Sequence, residues 1–238
     1  MGHHAPQGAF DSGWGLGFGG GHARPRKERS LTEGHDLSQL GHVHLYAAGV
    51  ELFQQEDYLL ELYYIESGLL KLVRLEPDGR ELILGLRLSG CLVGSSAAIT
   101  RRPSPVSAVT VCPCRVRCIS AQELRSVLQG DPLFAWQLQE VHCREILEQM
   151  GQLTRLHIPS PRVRLESLLL DLIRALGRAE AASNIRLQLP LKHWELARLI
   201  AITPEHLSRL LGQMEKEGIV GRDKGWLIVR ELSALRAL

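Results

Sequence analysis

Leu191 to Val220 reads LKHWELARLIAITPEHLSRLLGQMEKEGIV, and this stretch decides the fold. Lys192 to Ile200 has the spacing of a short helix, with Leu196, Ala197 and Ile200 on one face. Ala201-Ile202 turns the chain. Thr203 is a good N-cap acceptor, Pro204 falls where its missing N–H costs nothing, and Glu205 suits the positive end of a helix. Leu207, Leu210, Leu211 and Met214 then recur at i, i+3, i+4 and i+7, which defines a buried face. On the other side Glu205, Ser208 and Arg209 line up as a polar ridge at i, i+3 and i+4. Helix, tight turn and helix with such a ridge is a helix-turn-helix.

The ridge has the chemistry of a major groove. Arg can bond both O6 and N7 of guanine, Glu can accept from cytosine N4, and Ser can serve either edge. Base readout is therefore expected from Glu205, Ser208 and Arg209. Beyond Gly218-Ile219-Val220, Arg222-Asp223-Lys224-Gly225 makes a basic turn before Trp226–Val229, which together read as a wing. Arg164, Lys192, Thr203, His206, Arg222 and Lys224 are expected to position the module on phosphates without specifying sequence. The plain alternative makes Glu205 and Arg209 an ordinary i,i+4 pair on a solvated face.

Charge agrees with that placement. The 238 residues carry a net +2, but from Ser160 onward 13 Lys/Arg face 9 Asp/Glu, while the preceding part has 15 against 17. The basic excess lies with the helix-turn-helix, which points to a double-stranded DNA partner. No apolar run approaches ~18 residues, so no membrane partner is expected. Met1–Gly21 lacks a continuous apolar stretch, and the five cysteines are odd in number, so a cytoplasmic, reducing setting is expected.

Upstream, Pro159-Ser160-Pro161 breaks a long helical stretch that opens at Asp131-Pro132 and runs to Leu156. About 25 residues make a rod of ~37 Å. Leu138, His142, Ile146, Gln149, Leu153 and Leu156 fall on a narrow stripe, suited to pairing with a second copy of the chain. Packing within its own subunit is the alternative. Arg164 to Leu176 reads as an amphipathic helix, Gly177–Asn184 as loose chain and Ile185–Leu189 as a strand.

From His42 to Ser120 the pattern is of short strands with turn chemistry between them, as in Leu69–Leu75, then Glu76-Pro77-Asp78-Gly79, then Leu82–Leu86. A small antiparallel roll or barrel is predicted. Ser120 and Glu123 read as a reciprocal capping box. Met1 to about Ser30, Gly-rich and ending in a basic cluster, is expected to be a disordered tail. The domain plan is a tail over 1–30, a roll over 31–130, a helix over 131–157 and a winged module over 160–238. The fold class is α+β.

The sequence resembles the cyclic-AMP receptor protein/fumarate-nitrate regulator superfamily of bacterial transcription factors over about Val43–Val229. The matching segments are Tyr64-Ile65-Glu66-Ser67-Gly68 with Lys71, Pro77-Asp78-Gly79-Arg80-Glu81, the Asp131-Pro132 helix start, and Ala197 through Val220. Glu205-His206-Leu207-Ser208-Arg209 is similar to the recognition helix of the fumarate-nitrate branch. The resemblance implies a double-stranded β-roll, a long dimerisation helix and a winged helix-turn-helix. It further implies a homodimer, half-sites near TTGAT rather than TGTGA, contact with RNA polymerase, and no enzyme activity.

The same resemblance marks departures. Relatives that bind cyclic nucleotide place a Glu after Gly for the ribose and an Arg-Ser pair for the phosphate. Here Gly94 precedes Ser95-Ser96, and the later position falls in Pro103–Ser107, so cyclic AMP is not expected. An iron–sulfur cluster of the oxygen-sensing kind needs four thiolates, and no cysteine precedes Cys91, so that cofactor is not expected either. Haem, through His142 or a tail histidine, stays open. Cys112, Cys114 and Cys118 share one face if their strand is regular and read as buried apolar residues or as a redox-sensing set. A metal enzyme on a cupin-like roll, with His42 and His44 as ligands, is the remaining alternative.

Overall fold

A computed structural model describes residues 37–176, 178–179, 185–187, 189–223 and 226–235 of the chain. The expectations for Met1–Ser30, His3, His4, His22, His35 and Lys224, and for most of 177–184, lie outside the described residues.

Eight antiparallel strands build the roll. They are β1 (His42–Tyr46), β2 (Glu51–Phe53), β3 (Glu61–Ser67), β4 (Leu69–Leu75), β5 (Glu81–Leu88), β6 (Leu92–Val93), β7 (Ser107–Thr110) and β8 (Cys114–Ser120). One sheet has the order β1-β8-β3-β6 and the other β2-β7-β4-β5. The β4–β5 hairpin closes as its turn residues dictate. Gly79 sits at φ 81, a conformation that costs glycine little, and donates its N–H to the Glu76 carbonyl at 2.9 Å. Between the sheets pack Phe53, Ile65, Leu70, Val93, Ala108 and Val116.

A short helix, α1 (Ser95–Thr100), interrupts the strands after β6. Its sequence, SSAAIT, has too few residues to show a helical period, and Gly94 in the left-handed region starts it. Next comes α2 (Ala121–Gly130), whose Ser120 hydroxyl caps the Glu123 N–H at 3.1 Å. The reciprocal half of the expected capping box is absent. Ser120 is the last residue of β8, opposite Glu61, and the Glu123 carboxylate instead accepts from the Gly41 N–H at 2.9 Å, tying α2 to the strand entrance.

The long helix α3 (Pro132–Leu156) starts on an Asp131 cap and has two apolar faces. Phe134, Leu138 and Val141 are buried with Leu62, Leu92, Ile119 and Leu124 of the same subunit, and Glu145 accepts from the Leu92 N–H at 2.9 Å. Leu138 and His142 therefore do not lie on an outward seam. Leu138 is 3% exposed and His142 is half-buried beside it, because the first half of the helix uses that stripe to close the roll. Trp136, Ile146, Leu147, Met150 and Leu153 stand on another face, between 55% and 66% exposed.

The winged module follows as α4 (Pro161–Leu176), β9 (Arg178–Ala179), β10 (Ile185–Leu187), α5 (His193–Leu199), α6 (Pro204–Lys216), β11 (Val220–Asp223) and β12 (Trp226–Val229). Its sheet runs β11-β12-β10-β9. Leu165, Leu169 and Leu172 of α4 meet Leu196, Leu207, Leu211 and Met214 in one core, and Leu69 of β4 enters it from the roll. At about 25 cal/mol per Å², each such leucine contributes roughly 2 kcal/mol by leaving water.

Candidate nucleic-acid interface

Helix α5 ends in a tight device. Ala201 adopts φ 52, its N–H bonds the Arg198 carbonyl at 3.0 Å, and the Ile202 N–H bonds that of Ala197 at 3.0 Å. This double closure satisfies the last carbonyls and turns the chain sharply. Thr203 then caps α6, its hydroxyl accepting from the His206 N–H at 3.2 Å, with Pro204 in the first turn. Leu207, Leu211 and Met214 are buried beneath it.

The opposite face is the polar ridge. Glu205, Ser208 and Arg209 are all exposed, and His206 is half-buried beside them. The Glu205 carboxyl is held below the ordinary carboxylate range, first by its own backbone N–H and the Thr203 hydroxyl, then by the charges of Arg209 and His193. Ser208 Oγ lies 3.5 Å from Nε2 of His193 on α5, so the ridge is braced from the neighbouring helix. An anionic acceptor, a hydroxyl and a guanidinium thus stand together on the exposed face of one helix, and these are groups that can bond base edges. The sequence reading missed His193, since a lone histidine at a helix start carries no periodic signal.

The residues expected on phosphates divide. Lys192 is exposed at the start of α5, and Thr203 is exposed as the cap of α6. Arg222 is exposed on β11, its Nε 2.9 Å from Glu215. Arg164 is a correction. It is 8% exposed, and its guanidinium donates to the Ile200 carbonyl at 2.8 Å and the Ile158 carbonyl at 2.5 Å. It staples the end of α5 to the segment that precedes α4.

On α3, Trp136, Cys143 and Met150 repeat at a seven-residue interval, and so do Gln139, Ile146 and Leu153. These residues share one exposed face of the helix, with Gln149 and Leu156 beside it.

The residues after β6 do not fit a cyclic nucleotide. Gly94 caps α1 with no carboxylate behind it, Ser95 is buried, and the Ser107 hydroxyl accepts from the Gln55 N–H at 2.9 Å. Arg101 and Arg102 point to solvent on the turn after α1. His42 and His44 meet ring to ring at 4.7 Å, and among the described residues no three His, Cys, Asp or Glu gather as metal ligands. No helix among the described residues is long and apolar enough to cross a membrane.

Two family models match this chain, the cyclic nucleotide-binding domain over residues 43–131 and the Crp-like helix-turn-helix domain over 163–238. The chain is 27% identical to the nitrogen fixation regulation protein FixK of Azorhizobium caulinodans over 89% of its length and 84% of the relative's. It is 28% identical to the cyclic AMP receptor protein of Thermus thermophilus, over 82% and 86% of the two chains. The solved structure of FixK2 from Bradyrhizobium japonicum superposes with a TM-score of 0.70 at 21% identity, covering 82% of this chain and 96% of that one, a likeness of fold.

Proposed function

Because the chain belongs to the CRP/FNR family of DNA-binding transcription regulators, we propose that it acts as a homodimer on an inverted repeat of TTGAT-like half-sites. In this reading Glu205, Ser208 and Arg209 read bases, while Lys192, Thr203, His206, Arg222 and Lys224 position the module on the backbone. The observation that carries it is the exposed ridge of α6, one carboxylate, one hydroxyl and one guanidinium braced by Thr203 and His193. Two copies joined through Trp136, Ile146, Met150 and Leu153 would present the two ridges about 34 Å apart, one turn of DNA. The apolar exposure of that seam is what supports pairing, since so much bare surface on a monomer is unusual.

The reading places the protein in the cytoplasm, in contact with RNA polymerase, and not as an enzyme. Cyclic AMP is not the effector in this reading, since no carboxylate follows Gly94 and Arg101 and Arg102 face solvent, so a phosphate charge would be left unpaired. An absorption spectrum taken with and without air distinguishes haem, iron–sulfur chemistry and neither.

Fluorescence anisotropy tests the central claim. A duplex with inverted TTGAT half-sites should bind tighter than one with TGTGA, and sedimentation should give twice the 26.5 kDa chain. Equal binding to every duplex, or a strict monomer at micromolar concentration, would sink it.

A further inference from the structure

Where the roll meets the winged module, two thiols stand that neither the α6 ridge nor the α3 seam uses. Cys112 lies in the bend between β7 and β8 and is half-buried, whereas Cys114 opens β8 and is 2% exposed. The strand is not regular through both, since a bend takes Cys112 out of β8. Cys114 Sγ donates to the Cys112 carbonyl at 3.0 Å and lies 3.5 Å from the Leu69 carbonyl. Cys112 itself packs against both cores, that of the roll with Ile65 and Leu70, and that of the winged module into which Leu69 and Val111 also reach.

The two thiols are electronically unlike. The neighbouring Cys114 thiol draws the Cys112 pKa down against the opposing effect of burial, while the Cys112 neighbour and burial push Cys114 up. Cys91, by contrast, is pushed up to about 11 by burial, and Cys118 is also raised by burial. A thiolate next to a second, resolving thiol is the arrangement that oxidants attack first.

We propose that Cys112 and Cys114 form a dithiol oxidised by hydroperoxides, and that its disulfide form loosens the roll from the winged module and weakens DNA binding. The Cys112 thiolate attacks one oxygen of hydrogen peroxide, the O–O bond breaks, and Cys112 becomes a sulfenic acid. The departing hydroxide takes up the proton that Cys112 had released and leaves as water. Cys114 sulfur then attacks the sulfenic sulfur, the S–S bond forms, and the S–O bond breaks. Its proton leaves with the hydroxide as a second water. Two thiols lose two electrons, and one peroxide gains them. Drawing the Cys112 sulfur onto Cys114 withdraws it from the core it shares with Leu69.

The DNA half of this proposal rests on the function read above, and the thiol half does not. Full-length protein treated with hydrogen peroxide and digested should yield a peptide spanning Cys112 and Cys114 that has lost two hydrogens and regains them with dithiothreitol. Cys114→Ser should stop at a dimedone-trapped sulfenic acid on Cys112. Iodoacetamide should alkylate Cys112 at lower pH than Cys91. Oxidised protein should bind a TTGAT duplex about fivefold or more weakly than reduced protein, and Cys112→Ser should be insensitive. Oxidation confined to Cys143 or Cys91, an ordinary thiol midpoint at Cys112, or a disulfide that leaves affinity within a factor of about two, each overturns the proposal. Reduced protein that binds no duplex overturns the functional reading instead, and the peptide masses still decide the thiol chemistry.

Discussion

Lys71 of β4 and Glu195 of α5 stand 2.5 Å apart, Nζ to Oε1, across the seam between roll and winged module. Glu195 uses its second oxygen to accept from the Lys192 N–H at 2.7 Å, so one carboxylate both starts α5 and fastens it to the roll. The Trp194 ring centre is 5.6 Å from the Lys71 ammonium and 4.6 Å from the Arg198 guanidinium. Arg198 in turn donates to the Glu81 carbonyl at 2.6 Å. With both partners largely out of water, charge and geometry at this joint are screened little.

Glu195→Gln keeps an oxygen for Lys192 but leaves Lys71 only the more distant Glu81 carboxylate, 3.6 Å away. Denaturant titration should show a loss of about 2 kcal/mol. Adding Lys71→Met should return part of that, with a coupling of about 1 kcal/mol in the double-mutant cycle. Strict additivity would contradict the joint.

Arg164→Met should act on folding and not on DNA. It strips donors from the Ile158 and Ile200 carbonyls, and a cost of about 2–4 kcal/mol is expected. The slope of affinity against salt should stay as in wild type. A lowered slope with unchanged melting would return Arg164 to the phosphates.

On the ridge, Arg209→Ala should cost about 1–3 kcal/mol and relax discrimination at one G·C pair. Lys192→Ala should instead weaken all duplexes evenly and flatten the salt slope by about one unit. Binding curves on a half-site substitution series separate the two behaviours.

Most of this architecture was legible because local signals and tertiary contacts agree. Thr203-Pro204-Glu205, the leucine period of α6 and the Pro77-Asp78-Gly79 turn each specify local geometry that the packed molecule keeps. The failures share a cause. Leu138, His142 and Arg164 meet partners that include residues far along the chain, and one helix cannot announce which of two apolar faces closes its own roll. Glu123 likewise had two acceptable donors, and the strand register of Ser120 decided for Gly41.

Ala201 holds a left-handed conformation without glycine's freedom. Ala201→Gly should remove that strain and stabilise the protein by about 0.5–1 kcal/mol after the added entropy of the unfolded chain. Destabilisation on thermal melting would mean that the methyl group is packed.

Glu66 supplies the acid-side dependence. Burial raises its pKa, but hydrogen bonds from Arg115, Nε to Oε2 at 2.5 Å, and from Arg117, Nε to Oε1 at 2.8 Å, more than offset that, and the folded value lies below the ordinary 4.5. The folded state therefore gains from this carboxylate above pH 4.5 and loses that gain as pH falls further. Glu66→Gln should be less stable than wild type at neutral pH, and the gap should narrow below that pH. A gap that widens in acid would refute the assignment.

Leu69 and Leu70 are neighbours on β4, and because successive strand residues face opposite ways, the first fills the winged core and the second the roll's. The reader head is consequently no transplantable cassette. Cut free at residue 160 it would carry an empty leucine socket, and a calorimeter should record the intact chain melting in a single peak where two lobes would otherwise give two.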